Sequence, residues 1–85
     1  MGRIDKLFKK AKNSPENLRF KELCFLAECV GFQFRHQAGS HKIFKHPIIN
    51  KMLNFQPDKS DTSKAKKYQI KKLVEMIEDF DLMKD

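Results

Sequence analysis

The side chains best suited to acid–base chemistry in this sequence lie in the segment AGSHKIFKHP. His41 carries an imidazole, the group that most readily takes up or releases a proton near neutral pH. It follows Gly39, which lets the backbone approach a ligand closely, and Ser40, which offers a hydroxyl. Lys42 and Lys45 could stabilise charge that develops on a phosphate. RNA cleavage without a metal needs such a base and such cations, so the segment contains groups for that chemistry. The alternative interpretation is that His41 is a partly exposed histidine at the start of a strand with no chemical role.

His46 lies in the same segment, but positions 41 and 46 differ by an odd number and face opposite sides of a regular strand. One catalytic histidine is therefore expected rather than a pair. His36 and His46 are interpreted as strand residues on a solvated or RNA-facing surface. The spacing of the histidines contains no HxH or HExxH pattern, so no metal site is predicted. Cys24 and Cys29 form no zinc pattern either, and five residues apart on one helix they point in different directions.

The charge of the chain indicates a polyanionic partner. Its 85 residues contain 18 Lys and Arg against 11 Asp and Glu, a net charge of +7. Nucleic acid is the first candidate partner and an acidic protein is the second. The predicted RNA-binding residues are Gly39, Ser40, Lys42, Lys45, Arg35, His46, Lys66 and Lys67. Further cations on or near the same elements are Lys51, Lys64, Lys71 and Lys72.

Apolar residues recur at helical spacing in three segments, which predict helices over residues 3–12, 19–30 and 66–82. Gly31 stands where the second helix should end in a left-handed conformation. The second and third stripes are predicted to form the core. The three stripes are Ile4, Leu7, Phe8 and Ala11; Phe20, Leu23, Ala27 and Val30; and Ile70, Leu73, Val74 and Ile77, extended by Phe80.

Between the second and third helices the apolar period changes to two, which predicts strands. GFQFRHQ is expected to form a half-buried strand, and Gly39 allows the positive φ of a tight hairpin after it. HKIFKHP predicts a second strand. NKMLNFQP predicts a third strand with Leu53 and Phe55 on one face, before an exposed loop over residues 57–66. The alternation leaves open whether Phe44 faces the core or the solvent.

The predicted order is helix, helix, three strands, helix, in one α+β domain covering residues 1–85. Residues 1–14 form an N-terminal helix extension, and residues 15–82 form the core. Without the first helix the order is αβββα, that of a double-stranded-RNA-binding-like domain whose three-stranded antiparallel sheet is covered by helices. Shared order alone does not determine function.

The run RFKELCFLAECVGFQFRHQAGSHKIFKHP resembles the HicA family of toxins from bacterial type II toxin–antitoxin modules. The family pattern is a short helix ending in Gly-Phe, a strand, and then Gly-Ser-His followed by an aromatic residue and often by His-Pro. KKYQIKKLVEMIEDF also resembles the closing helix of longer members, so the resemblance covers about residues 17–80. The matching residues are Gly31-Phe32, Gly39-Ser40-His41, Phe44 and His46-Pro47.

This resemblance implies an RNA-binding-type αβββα fold and an endoribonuclease, or mRNA interferase, that cuts single-stranded mRNA. It also implies a HicB-like antitoxin protein that blocks the enzyme. The essential histidine of the family falls on His41. The loop QPDKSDTSK differs from the histidine or glycine-rich turn that many relatives carry after the third strand, and the first helix lies outside the shortest members.

Two other classes of function remain open from the sequence. One is a non-catalytic RNA-binding domain that uses the same basic face. The other is a protein-interaction module whose basic surface pairs with an acidic partner. No cofactor is expected in any of the three. The absence of a signal peptide and of a long apolar run predicts a cytoplasmic protein without contact to the membrane. The oligomeric state is left open.

Overall fold

The computed structural model describes residues 3–83, so the ends of the predicted 1–85 domain lie outside the described residues. Within them the chain forms three α-helices, one 3-10 turn and a three-stranded antiparallel sheet. The predicted α+β class and element order are confirmed. In chain order the elements are α1 (Arg3–Asn13), the 3-10 turn (Pro15–Asn17), α2 (Phe20–Cys29), β1 (Gln33–Ala38), β2 (His41–Lys45), β3 (Met52–Phe55) and α3 (Lys67–Asp79).

The sheet has the order β1-β2-β3, in which each strand pairs antiparallel with the next. Gly39, with φ of +63°, forms the two-residue turn between β1 and β2, as predicted. The register places Phe44 between Phe34 on β1 and Leu53 on β3. Because side chains alternate along a strand, His41 and Ile43 point to the opposite face from Phe44.

The core lies between the helices and one face of the sheet. The second and third predicted stripes are buried, apart from Phe80. Phe44 is 1% exposed and contacts Phe55 at a ring distance of 5.6 Å, so it faces the core. The buried apolar side chains are Ala11, Leu18, Phe20, Leu23, Cys24, Leu26, Ala27, Val30, Phe32, Phe44, Leu53, Phe55, Ala65, Ile70, Leu73, Val74 and Ile77.

The first helix is more than an attachment, because it contributes to the core and is tied to both other helices. Ala11 is 3% exposed. Lys10 forms an ion pair with Glu22 of α2 at 3.0 Å, and Lys12 forms one with Glu78 of α3 at 2.6 Å. Burial works to raise the pKa of Glu22, but hydrogen bonds from the backbone N–H of Arg19 and from Lys10 outweigh it and lower that pKa.

The prediction that GFQFRHQ is a half-buried strand is only partly right: Phe32 is buried just before β1, but all six residues of β1 itself are exposed. β1 is an edge strand, and its pairing with β2 shifts between Phe34 and His36. Arg35 is the extra residue of this β-bulge, and it reverses the alternation for the residues that follow. Phe34 and Gln37 therefore both face the helix side of the sheet, whereas His36 faces the other side.

The prediction that Phe80 belongs to the core is also wrong. α3 ends at Asp79 rather than at residue 82, and Phe80 caps its C-terminus with 42% of its surface exposed. Asp81 then adopts a positive φ of 54°, so the apolar stripe stops with the helix. The ring of Phe80 lies 5.9 Å from the Nζ of Lys51. Among residues 3–83, no helix is long and apolar enough to cross a membrane.

His46 is buried, with only 4% of its surface exposed. Its Nε2 donates to the carbonyl of Val30 at 3.1 Å, and its Nδ1 accepts from the N–H groups of Ile48 at 3.2 Å and Ile49 at 3.4 Å. The ring meets that of Phe32 edge-on at 5.0 Å. The prediction of a solvated or RNA-facing His46 is therefore wrong. The turn after β2 needs an acceptor for its N–H groups, and this imidazole supplies it.

Gly31 makes room for this histidine. Its φ is +108°, and a Cβ at this position would lie 2.5 Å from Nε2 of His46. Gly39 also has a positive φ, of +63°, but a Cβ there would meet nothing within 4 Å. Both positions therefore require a positive φ, but only at position 31 does the buried imidazole also exclude a Cβ.

We predict that Gly31→Ala is clearly more destabilising than Gly39→Ala. The second variant should lose about 1 kcal/mol for its left-handed backbone. The first should lose about 3 kcal/mol, since it also overpacks the site of His46. Urea unfolding of both variants and the wild type measures the difference. Equal losses would show that His46 does not restrict position 31.

Candidate functional site

A recess of about 230 Å³ lies where the outer edge of β3 meets α3, and His41 lines it. We call it the His41 recess. β2, β3 and α3 all contribute polar side chains to its wall. The recess is therefore a candidate binding site, because a few converging polar groups in a concave site can orient a substrate. Its lining residues are His41, Leu53, Asn54, Phe55, Gln56, Tyr68, Gln69 and Lys72.

His41 is oriented by Asn54. The Nδ1 of His41 lies 2.9 Å from the Oδ1 of Asn54, which pairs directly with Ile43, two residues beyond His41 on β2. An amide oxygen can only accept a hydrogen bond, so Nδ1 carries the proton. Nε2 is then left with its lone pair, and it has no hydrogen-bond partner among the described residues. A half-buried imidazole with a fixed Nδ1–H and an available Nε2 is prepared to act as a base.

Gln69 fixes the helix side of the recess. Its side chain is 6% exposed and lies against the edge of β3. Oε1 accepts from the N–H of Gln56 at 3.0 Å, and Nε2 donates to the carbonyl of Asn54 at 3.1 Å. One amide thus satisfies an acceptor and a donor of the strand edge, as a neighbouring strand would. The backbone that carries Asn54 is thereby held against α3.

Tyr68 and Lys72 complete the recess from α3. They stand four residues apart and therefore share one face of the helix. The hydroxyl oxygen of Tyr68 lies 3.4 Å from Nε2 of Gln69, which can only donate, so the phenolic proton of Tyr68 remains available. The tyrosine is 66% exposed. Lys72 forms no ion pair among residues 3–83, so its charge is available to an anion in the recess.

Two predicted residues meet at the rim of the recess through Gln56. Its Nε2 donates to the Oγ of Ser40 at 3.2 Å, and its Oε1 accepts from the Nζ of Lys66 at 3.1 Å. Gly39 lies beside Ser40 in the exposed turn, and its carbonyl accepts from Gln37 at 2.9 Å. The structure therefore brings Ser40 and Lys66 together with His41 on one side of the molecule.

Other predicted residues are not brought to this recess. Lys42 follows His41 and so faces the helix side, where its Nζ lies 5.7 Å from the ring of Phe20. Lys45 shares the face of His41 but lies four residues further along β2, about 13 Å away at strand spacing. Arg35 occupies the bulge of β1, at the far edge of the sheet. Lys67 begins α3 and is exposed.

Cys24 does not provide an alternative nucleophile. Burial raises the pKa of Cys24 to about 11, so its thiol stays protonated at neutral pH. Nearby Lys42 only partly opposes this effect. Within the described part of the chain, no three His, Cys, Asp or Glu side chains come together as a metal site would require.

Asn54, Gln56, Tyr68 and Gln69 are not among the residues predicted from sequence, and Lys72 is predicted only as one of several nearby cations. Asn54 and Gln56 stand in the third predicted strand, where polar residues alternating with Leu53 and Phe55 resemble an ordinary solvated face. Tyr68 and Gln69 precede the apolar stripe of the last helix. A polar residue in a buried helical position, such as Gln69, is the one sequence signal that could have indicated a site here.

No family model matches the chain, and no curated protein or solved structure matches it.

We predict that the neutral rings of His41 and His46 are opposite tautomers. His41 should carry its proton on Nδ1, because Asn54 accepts from it, and His46 on Nε2, because Val30 accepts from it. Long-range ¹H–¹⁵N correlation spectra above neutral pH distinguish the two forms. The exposed His36 serves as the internal reference for a ring without a fixed partner. A proton on Nε2 of His41 would mean that Asn54 presents its NH₂ group instead, and that Nε2 is not the base.

Proposed function

We propose that this chain is an endoribonuclease of the HicA type that cuts single-stranded mRNA without a metal, with His41 as its general base. The observation that carries the proposal is the hydrogen bond between His41 and Asn54 inside a recess that also holds Tyr68 and Lys72. The sequence resemblance supports the same function independently, because it places the essential histidine of the family at position 41.

The chemistry uses the available Nε2 of His41. It removes the proton of a ribose 2′-hydroxyl, and the resulting oxygen attacks the adjacent phosphorus. The bond from phosphorus to the 5′-oxygen then breaks, which leaves a 2′,3′-cyclic phosphate and a 5′-hydroxyl. Asn54 keeps the imidazole in the tautomer that can accept the proton and stabilises the imidazolium that forms.

Lys72 and Tyr68 have separate roles in this reaction. Lys72 lies in the recess and stabilises the additional negative charge of the transition state, the role first expected of Lys42 and Lys45. The phenolic proton of Tyr68 is available to the leaving 5′-oxygen, so Tyr68 acts as the general acid. Lys66 and Ser40, joined through Gln56, extend a polar and basic rim along which the RNA backbone binds.

The same proposal includes the double-stranded-RNA-binding-like assignment of the αβββα core, action on mRNA in the cytoplasm, and a HicB-like antitoxin as regulator. The net charge of +7 supports both an RNA substrate and an acidic protein partner. A non-catalytic RNA-binding domain is the second candidate, favoured by the positions of Lys45 and Arg35 on the sheet away from the recess.

We predict that His41→Ala lowers the rate at which a long single-stranded RNA is cleaved in EDTA by at least about 100-fold. Asn54→Leu should lower the rate roughly 10-fold or more, because the ring loses the acceptor that selects its tautomer. Asn54→Asp retains an acceptor and should keep more activity than Asn54→Leu. Initial rates on gels, with product ends analysed for the cyclic phosphate, measure the effects.

His36→Ala is the matched control, since His36 is an exposed histidine on the same face of the sheet but outside the recess. Circular dichroism must show an unchanged fold for each variant. If the wild type does not cut RNA but binds it, and His41→Ala binds it equally, the enzyme proposal fails and the RNA-binding function replaces it.

We predict that Tyr68→Phe separates catalysis from binding. The variant retains the ring but loses the hydroxyl, so cleavage should fall about 100-fold while RNA affinity stays the same. Lys72→Ala should lower both the cleavage rate and the RNA affinity, because the charge of Lys72 acts on the phosphate in the ground state and in the transition state. Lys9→Ala, at an exposed position of α1, is the control. Single-turnover rates and fluorescence anisotropy with a 2′-deoxy substrate analogue measure the two effects. Full activity of Tyr68→Phe would remove the hydroxyl from the mechanism.

A further inference from the structure

The two edges of the sheet differ in whether their backbone groups are paired. At the edge of β3, the amide of Gln69 pairs with the strand, and Pro57 forms a bridge with Ala65 just beyond it. At the edge of β1, the described residues provide no neighbouring strand. All six residues of β1 are exposed, over about 20 Å of strand. Open edges of this kind are templates for pairing with another chain, and proteins usually block them.

A groove of about 360 Å³ runs between this open edge and α2. We call it the β1 groove. Its floor includes Phe44, and Phe34 stands over it with 48% of its surface exposed and its ring 5.7 Å from that of Phe44. The bulge at Arg35 is what places both Phe34 and Gln37 on the groove side of the strand. The lining residues are Lys21, Cys24, Phe25, Glu28, Phe34, Gln37, Lys42 and Phe44.

The charge around the groove selects the kind of occupant. Lys21 and Lys42 line it and Arg35 lies on the strand beside it, whereas Glu28 is the one acidic side chain among the lining residues. An extended segment with alternating apolar and acidic side chains satisfies these features together. Its backbone would pair with β1, its apolar side chains would cover Phe34, and its carboxylates would meet the cations.

We propose that β1 is a docking edge for an extended acidic segment of a partner protein, which adds a fourth strand to the sheet and seats its apolar side chains in the β1 groove. None of the groove residues lines the His41 recess, so the proposal does not rest on the ribonuclease activity. It describes a second functional surface at the opposite edge of the sheet.

A second copy of this chain is a poorer occupant. Two β1 strands paired antiparallel would bring the cations of both grooves together, and each chain carries a net charge of +7. Like charges across a strand pair are destabilising. The segment that fits must therefore bring negative charge, which this chain has little of near its own edge.

The test is an NMR titration of the ¹⁵N-labelled full chain with two synthetic peptides of about eight residues, a usual strand length. One peptide alternates glutamate with valine, and the other alternates lysine with valine. We expect the acidic peptide to shift amide signals of β1 and α2, with half-saturation at roughly millimolar concentration. It should also slow hydrogen exchange in β1, while the lysine peptide leaves both unchanged.

Two pairs of variants locate the binding. Phe34→Ser and Lys21→Glu should each weaken binding of the acidic peptide about 10-fold, a change of about 1.4 kcal/mol. Ile48→Ser and Lys9→Glu are the matched controls, since Ile48 is 85% exposed and Lys9 is exposed and both lie outside the groove. Lys21→Glu alters an exposed helix position, so it remains informative if Phe34→Ser unfolds.

Four results would overturn the proposal. Equal shifts with the lysine peptide would show that charge does not select the occupant. Shifts confined to β3 and α3 would place the docking edge elsewhere. Protection of β1 amides without peptide, together with a dimer in sedimentation, would make the occupant a second copy. A single-stranded oligonucleotide that shifts the groove amides more strongly than the acidic peptide would assign the groove to RNA. RNA cleavage is measured separately, so none of these results bears on His41.

Discussion

The pairing of the Gln69 amide with the edge of β3 is the contact on which the arrangement of this site depends. It satisfies the carbonyl of Asn54 and the N–H of Gln56 through two half-buried hydrogen bonds, each of which contributes about 0.5–1.5 kcal/mol to stability. Because both strand residues also carry site contacts through their side chains, one helix residue fixes the position of the groups that orient His41 and hold Ser40. Rigidity of the recess therefore comes from α3, although the histidine itself belongs to the hairpin.

Closing one edge in this way gives the two edges of the sheet different properties. The β3 edge becomes the wall of a recess in which polar groups converge, and Gln69 occupies a carbonyl and an N–H with which another chain would pair. The β1 edge retains its pairing capacity, next to Phe34 and a basic rim. Such a separation would let a partner protein bind at the β1 edge without contacting the residues of the His41 recess.

Features governed by local periodicity could be predicted from the sequence, and features governed by single tertiary contacts could not. The helical stripes and the hairpin at Gly39 follow from spacing and from one residue that tolerates a positive φ. The bulge at Arg35 arises from the requirement that both Phe34 and Phe44 lie on the same face, which strand alternation alone does not reveal. In the sequence, Asn54 has the pattern of a solvated strand residue, and its contact with His41 follows only from the pairing of β3 with β2. The core stripe ends before Phe80 because α3 ends at Asp79.

His41 and His46 show why residue type is insufficient for assigning such a site. Both lie in the segment AGSHKIFKHP, and both have an imidazole nitrogen that is hydrogen-bonded to another residue. In His46 one ring nitrogen donates to a carbonyl and the other accepts from two N–H groups, so neither nitrogen is free to bind a substrate. In His41, which lines the recess, the bond to Asn54 occupies only Nδ1 and leaves Nε2 without a partner among the described residues. The hydrogen-bond partners, rather than the position in the motif, distinguish the histidine that stabilises a turn from the one that keeps a ring nitrogen without a partner in the described part of the chain.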